Sequence, residues 1–363
     1  MSERIDLYAL DHAGLRDLLT HMGAPAWRAD QVRRWLYEAG LETTAGMTDL
    51  PLVLRERLAG ETTVGTLTAA AERVSAADGT VKRLYSLADG QLVESVLMPY
   101  DDGRRTACIS TQAGCAMACA FCATGQMGFA RHLSSAEIFE QAARFSSQLR
   151  ASGERLSNVV LMGMGEPFHN YDATLAAIRR ILDDLGIGAR HVTVSTVGLV
   201  PQILRFADEG LQVRLAVSLH AATDEERSAL LPVNRRWPLT ELMDACRAYA
   251  AKTGRRVTFE WALIAGRNDD EATADRLGRL LVGLPAHVNL IPLNPTKGYD
   301  GAPTAVADAG RFVDVLASHG VPATVRVRRG IDIEAGCGQL ATVVAEQPRR
   351  PRAGGPPGRR EPI

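Results

Sequence analysis

From Thr106 to Val327 the chain switches repeatedly between short apolar runs and longer stretches of helical period, and this alternation limits the folds open to it. Seven runs read as strands: Ala107–Thr111, Asn158–Gly163, His191–Thr196, Val213–Leu219, Val257–Ile264, Val288–Leu293 and Thr324–Val327. Helical stretches separate them, for example Ser134–Leu149, with Ser134 placed as cap and Glu137 at the capping-box position. Strands joined through helices run parallel, so the class is α/β, as an open doubly wound sheet or a partial barrel.

Two smaller units precede this region. Residues 1–60 read as a helical accessory domain. Asp11 can cap a helix bearing Leu15, Leu18, Leu19 and Met22, and a second helix runs from Trp27 to Glu38. A third, shorter helix follows around Pro51 to Leu58. Arg28, Arg33 and Arg34 share the polar side of the second helix, either as a solvated face or as an RNA contact. Over residues 61–100 the period falls to two. Val64–Leu67, Val81–Tyr85 and Leu92–Leu97 read as a small antiparallel sheet, a short β linker between the helical unit and the rest, with turns at Asp78-Gly79 and Asp89-Gly90. Residues 101–345 form the core, and 346–363 a Pro/Gly/Arg tail that cannot build a core and is expected to be disordered. The five arginines after Gln347, against one glutamate, suit RNA, whereas the net charge of −1 predicts no strong basic field over the whole chain.

The chemistry collects after the strands, where β/α barrels build their sites. Cys115, Cys119 and Cys122, in the spacing C-x₃-C-x₂-C, follow the first strand and use half of the chain's six cysteines. Thiolates this dense need a cation to hold their charge. A structural zinc wants four protein ligands, whereas an iron–sulfur cluster on three would keep one iron open for a small molecule. The competing reading makes them three packed thiols on one face of a helix, at i, i+4 and i+7. Gly163-Met164-Gly165-Glu166-Pro167 follows the second strand, and Glu166 can accept from an ammonium group. Ser195 ends the third, Ser218 and His220 the fourth, and Asn294 the sixth. No apolar run reaches the ~18 residues of a membrane span, and Met1-Ser2-Glu3-Arg4 leads into no apolar signal region. A cytoplasmic setting is therefore expected, in which cysteines serve as metal ligands or reactive thiols.

The cysteine triplet with Gly163–Pro167 resembles the radical S-adenosylmethionine (SAM) superfamily. A wider set narrows the likeness: Trp27-Arg28-Ala29-Asp30-Gln31, Val93-Glu94-Ser95-Val96, Ser218-Leu219-His220-Ala221, Asn289 to Pro295, Arg329 to Ile333, and Ala335-Gly336-Cys337-Gly338-Gln339-Leu340. Together these resemble the RlmN/Cfr family of RNA adenosine methyltransferases, from about residue 5 to 345. The resemblance implies an incomplete (β/α)₆ barrel with an N-terminal accessory domain. It also implies a 4Fe-4S cluster on Cys115, Cys119 and Cys122, with SAM on its open iron. Gly165, Glu166, Ser195, Ser218, Leu219, His220 and Asn294 match SAM-contacting positions. Cys337 matches a cysteine that is itself methylated, Cys108 a second redox cysteine, and Glu94 a proton acceptor. Cys246 matches nothing and reads as a helical core thiol.

The implied reaction is methylation of carbon 2 of adenosine in 23S rRNA and of the tRNA adenosine next to the anticodon. Carbon 2 is not nucleophilic, so the family uses a radical made from a methyl group on the protein. A protein–RNA thioether through Cys337 is implied, resolved by Cys108 with formation of a disulfide. The target base must leave its stack to be reached. Carbon 8 is the alternative position, since the same catalytic residues serve it. Phe168-His169 and Gly336 depart from the family pattern. The implied partners are RNA, an electron donor such as flavodoxin or ferredoxin, and no membrane, with the chain acting as a monomer. Methylthio transfer would need a second cysteine cluster, for which too few cysteines remain. A structural zinc protein that binds RNA without catalysis is the rival from another class.

Overall fold

The computed structural model describes residues 4–341. The expectation of a disordered tail over 346–363 lies outside them.

Ten strands make one sheet: β1 (Thr68–Val74), β2 (Val81–Ser86), β3 (Leu92–Pro99), β4 (Arg105–Cys108), β5 (Asn158–Leu161), β6 (Val192–Thr196), β7 (Arg214–Ser218), β8 (Val257–Leu263), β9 (Ala286–Pro292) and β10 (Ala323–Val325). Their order in the sheet is their order in the chain. Strands β1 to β4 pair antiparallel, and β4 to β10 pair parallel. β1 and β10 each pair on one side only, so the sheet does not close on itself. Helix-bearing crossovers join the parallel strands, giving the incomplete (β/α)₆ arrangement that the resemblance implies and choosing the partial barrel of the two forms left open by the alternation.

The parallel strands are apolar because both faces are covered. Phe259, Trp261 and Leu263 of β8 are fully buried, and Trp261 lies 5.8 Å from Phe312 on α11 (Val306–Ser318), ring centre to ring centre. α5 (Ser135–Ala151) starts at the expected capping box: Ser134 Oγ accepts from the Glu137 amide while Glu137 accepts from the Ser134 amide.

Two expectations for the 61–100 region are corrected. Val64–Leu67 is not a strand; the first long strand is Thr68–Val74, whose residues are all exposed. An exposed edge strand has no buried face and therefore no alternation to read. Nor is this sheet a separate linker, because β3 pairs with β4 and continues directly into the parallel core.

The N-terminal helices are α1 (His12–His21), α2 (Arg28–Tyr37) and α3 (Leu52–Glu61). Asp11 caps α1 through the Gly14 amide, as expected. Tyr8, Tyr37 and Phe139 of α5 form an aromatic cluster that seats this unit on the core. Arg33 departs from the expectation of a solvated or RNA-facing side chain: its guanidinium pairs at 2.8 Å with Asp184, just beyond α6 (Tyr171–Asp183). Arg28 stacks on Trp27 and Arg34 is exposed.

Candidate active site

The segment from Cys115 to Cys122 is a loop, which removes the reading of three thiols on one helix face. A short ribbon, Gln112–Gly114 against Phe129–His132, delivers it, and the Cys115 amide donates to the Gly128 carbonyl at 2.7 Å. Ala118 takes a left-handed φ of 52° and turns the chain between the first two cysteines. Behind the loop starts α4 (Ala123–Met127), where a side chain on Gly125 would begin 2.9 Å from the Cys119 amide nitrogen. Only glycine allows that approach.

The three cysteines wall a cavity together with Gly165, Glu166, Ser195, Ser218, His220, Asn294 and Cys337. Among the described residues no group of Cys, His, Asp and Glu converges as a single metal ion would require. Three cysteines leave a tetrahedral zinc one protein ligand short, whereas an iron–sulfur cluster can be held by three thiolates with one iron open. Burial pushes the Cys115 thiol up to about 12, and the Cys119 thiol is also raised. A thiolate set here therefore calls for a cationic partner.

Glu166 is buried at the cavity, where its two oxygens accept from the amides of Phe168 (3.1 Å) and Val197 (2.9 Å). Burial raises its carboxyl to about 7. His220 sits at φ 61°, with Nδ1 accepting from the Ala262 amide at 2.9 Å. That bond puts the ring proton on Nε2, and burial lowers the imidazole to about 3, so the ring is neutral. Asn294 donates to the Cys337 carbonyl at 3.0 Å, leaving its buried Oδ1 without a partner. Glu260 is a site residue that strand reading misses. It lines the same cavity, accepts from Asn289 at 2.9 Å, and turns Oε2 toward the Arg326 guanidinium at 3.6 Å. A charged residue inside the apolar run Phe259-Glu260-Trp261 was the available signal. The buried, unpartnered Asn294 Oδ1 on the lining fits a ligand that carries donors, such as the amino and hydroxyl groups of SAM.

A second cavity adjoins the first and shares Met162, Ile291, Asn294, Cys337 and Leu340 with it. Cys108, at the end of β4, lines only this one, with Tyr100 and the guanidinium-bearing Arg326, Arg328 and Arg329. Cys337 is exposed to space inside the molecule, between the two cavities, and burial among protein raises its thiol to about 11. Burial and the nearby Cys337 raise Cys108 to about 12, with Arg326 opposing.

Not every expected residue reaches a cavity. Leu219 is fully buried, and its backbone carbonyl accepts from Arg227. Glu94 lines neither cavity: its carboxylate lies 3.2 Å from Lys82 and accepts from the Ala341 amide at 3.1 Å, one residue beyond Leu340. Cys246 is buried in α9 (Leu239–Thr253).

Comparison with known proteins agrees with this construction. The radical SAM superfamily matches residues 109–277, and the ribosomal RNA large subunit methyltransferase N-terminal domain matches residues 5–64. Dual-specificity RNA methyltransferase RlmN 1 of Myxococcus xanthus is 53% identical over 347 residues, covering 95% of this chain and 96% of the relative. Dual-specificity RNA methyltransferase RlmN of Anaeromyxobacter dehalogenans is 48% identical, covering 93% and 91%. A radical SAM methyltransferase crystal structure from Sphaerobacter thermophilus superposes with a TM-score of 0.89 at 48% identity, covering 93% of this chain and 99% of that one. With nearly the whole length of both chains matched at 48–53% identity, this protein belongs to the RlmN family of radical SAM RNA methyltransferases.

Proposed function

We propose that this chain methylates carbon 2 of an adenosine in 23S rRNA and in tRNA, by way of a methyl group carried on Cys337. The observation that carries this reading is the meeting of two cavities at Cys337, one walled by the cysteine triplet and the other by Cys108 and arginines. A methyl carrier must be loaded from one side and discharged on the other. Cys115, Cys119 and Cys122 would hold the 4Fe-4S cluster, with SAM against Gly165, Glu166, Ser195, Ser218, His220 and Asn294. When bound, the cluster and SAM supply the methyl group for Cys337 and the one-electron chemistry that makes it reactive toward a non-nucleophilic ring carbon.

The chain's own groups do the rest. Glu166 accepts from the SAM ammonium, neutral His220 offers its Nε2 proton, and Asn294 fixes the backbone of Cys337 through its carbonyl. The second cavity suits the displaced nucleotide. Tyr100 lies between the guanidinium groups of Arg104 (4.6 Å) and Arg329 (4.5 Å), and arginines at its rim suit phosphates. The adenosine joins Cys337 through a thioether as Glu94 takes the proton from carbon 2 and the adduct gives up one electron, for which the cluster, when bound, would be the acceptor. Cys108 then attacks the Cys337 sulfur. An S–S bond forms as the S–C bond breaks, the bonding pair stays on the methylene carbon, and a proton completes the methyl group.

We further propose that the chain acts as a monomer in the cytoplasm, where both RNAs reside, with a flavodoxin- or ferredoxin-type protein as reductant. The helical unit of residues 1–60 would serve as the accessory domain to the core of 101–345. Mass spectrometry of rRNA and tRNA from cells lacking their own carbon-2 methylation tests the reaction. Expression of this chain should restore 2-methyladenosine in both RNAs, and Cys337→Ala should restore neither. Formation of 8-methyladenosine instead would overturn the assignment.

A further inference from the structure

We propose that Lys82 is a positioning residue for proton removal, holding Glu94 as a carboxylate and tying it to the segment that carries Cys337. The inference rests on the reading of Glu94 as the proton acceptor and adds the group that keeps it ready.

Lys82 lies on β2 opposite Val96, and Glu94 lies on β3 opposite Leu84. They are therefore diagonal neighbours on one face of the sheet. Their side chains are only 8% and 6% exposed, and Nζ stands 3.2 Å from Glu94 Oε1. The same ammonium donates to the Glu334 carbonyl at 3.1 Å, while Glu94 Oε2 accepts from the Ala341 amide at 3.1 Å. The pair thus grips both ends of the stretch that has Cys337 at its middle. Apolar side chains of similar volume stabilise a fold at least as well as a buried ion pair. An ammonium at this place is better explained by the charge it holds opposite it.

The charged groups facing the Glu94 carboxylate are Lys82 from β2 and Arg73 from β1, with the Ala341 amide as a further donor. Burial raises the Glu94 carboxyl and the two cations oppose that rise. In the step itself the C–H bond at carbon 2 breaks, its bonding pair restores the ring, and the proton moves to a Glu94 oxygen, while the adduct's one surplus electron leaves to the acceptor that the cluster, when bound, would supply. A carboxyl group already protonated cannot accept it. Loss of the Lys82 charge should therefore block the step at neutral pH and restore it at higher pH.

The test uses holoenzyme in the Cys108→Ala background, where the thioether to RNA accumulates before disulfide chemistry. The RNA carries deuterium at carbon 2, and the mass of the adduct reads retention or loss between about pH 6 and pH 9. With Lys82 present, deuterium is lost across the range. Lys82→Met should retain it near neutral pH and lose it on raising the pH, displacing the profile upward by about one pH unit or more. Lys82→Arg should behave as Lys82, and Glu94→Gln should retain deuterium throughout. Should Lys82→Met not fold, Lys82→Gln, which keeps a donor without the charge, is read in the same way. Loss by the uncharged variant with the parent's profile would overturn the role of Lys82, as would retention at every pH shared by Lys82→Arg. Loss by Glu94→Gln would overturn the Glu94 reading itself.

Discussion

Cys337 faces both cavities whereas Cys108 faces one, and this difference separates their roles. Cys337→Ala should keep the cluster but yield neither methylated RNA nor a protein–RNA adduct. Cys108→Ala should stall with RNA attached through Cys337, giving a nuclease-sensitive, slowly migrating band on a denaturing gel. The double variant should lack that band, and full turnover by Cys108→Ala would refute its resolving role. Cys119→Ala should purify without the iron of the parent and without SAM cleavage, and wild-type iron content would sink the cluster assignment. Ser195, Ser218, His220 and Asn294 stood out because polar residues close apolar strands there, whereas Cys108 and Cys337 were marked by the family resemblance alone. Lys82 and Arg326 were not. In an alternating strand a lysine reads as solvent-facing, and its burial arises only when Glu334, far along the chain, folds over it.

At the level of elements, the parallel strands were readable because burial on both faces leaves continuous apolar runs. β1 was not, since Thr68–Val74 buries nothing and carries three alanines. The connection into it depends on Gly65, which has φ 77° and would place a side chain 2.2 Å from Glu140 Oε1. The Glu140 carboxylate cannot yield, because it accepts from the Thr66 amide at 2.9 Å and pairs with Arg144. Burial raises that carboxyl to about 7 despite Arg144. Gly65→Ala should therefore destabilise the protein by about 1–3 kcal/mol. A lowered midpoint in thermal or urea unfolding is the expected reading, and an unchanged midpoint would mean that the linker relaxes freely.

For the whole molecule, the question is what the N-terminal unit contributes beyond its seat on the core. Its attachment is strong: Arg180 donates to Tyr37 at 2.7 Å and to the Tyr8 carbonyl, and its guanidinium lies 4.0 Å from the Phe139 ring centre. Arg33 adds its pair with Asp184. Deleting residues 1–60 would expose this aromatic seat, so loss of activity on truncation cannot separate RNA contact from stability. Single substitutions can, because the three arginines of α2 point to different uses. Arg33→Ala should lower the melting temperature modestly, by about 1 kcal/mol or less of stability, since Asp184 keeps Arg180 at 2.9 Å. Arg34 is exposed and only 3.7 Å from half-exposed Asp49, and Arg28 is held mainly by Gln31 and the exposed Trp27 ring. Arg28→Ala and Arg34→Ala should leave the melting temperature unchanged. If the unit holds RNA, each should weaken RNA binding and reduce its salt dependence by about one phosphate contact, with SAM cleavage unaffected. Binding isotherms at several salt concentrations read both quantities. Unchanged affinity and slope in the Arg28→Ala/Arg34→Ala double variant would leave α2 with a structural role only, and would shift RNA recognition to the arginines around the second cavity.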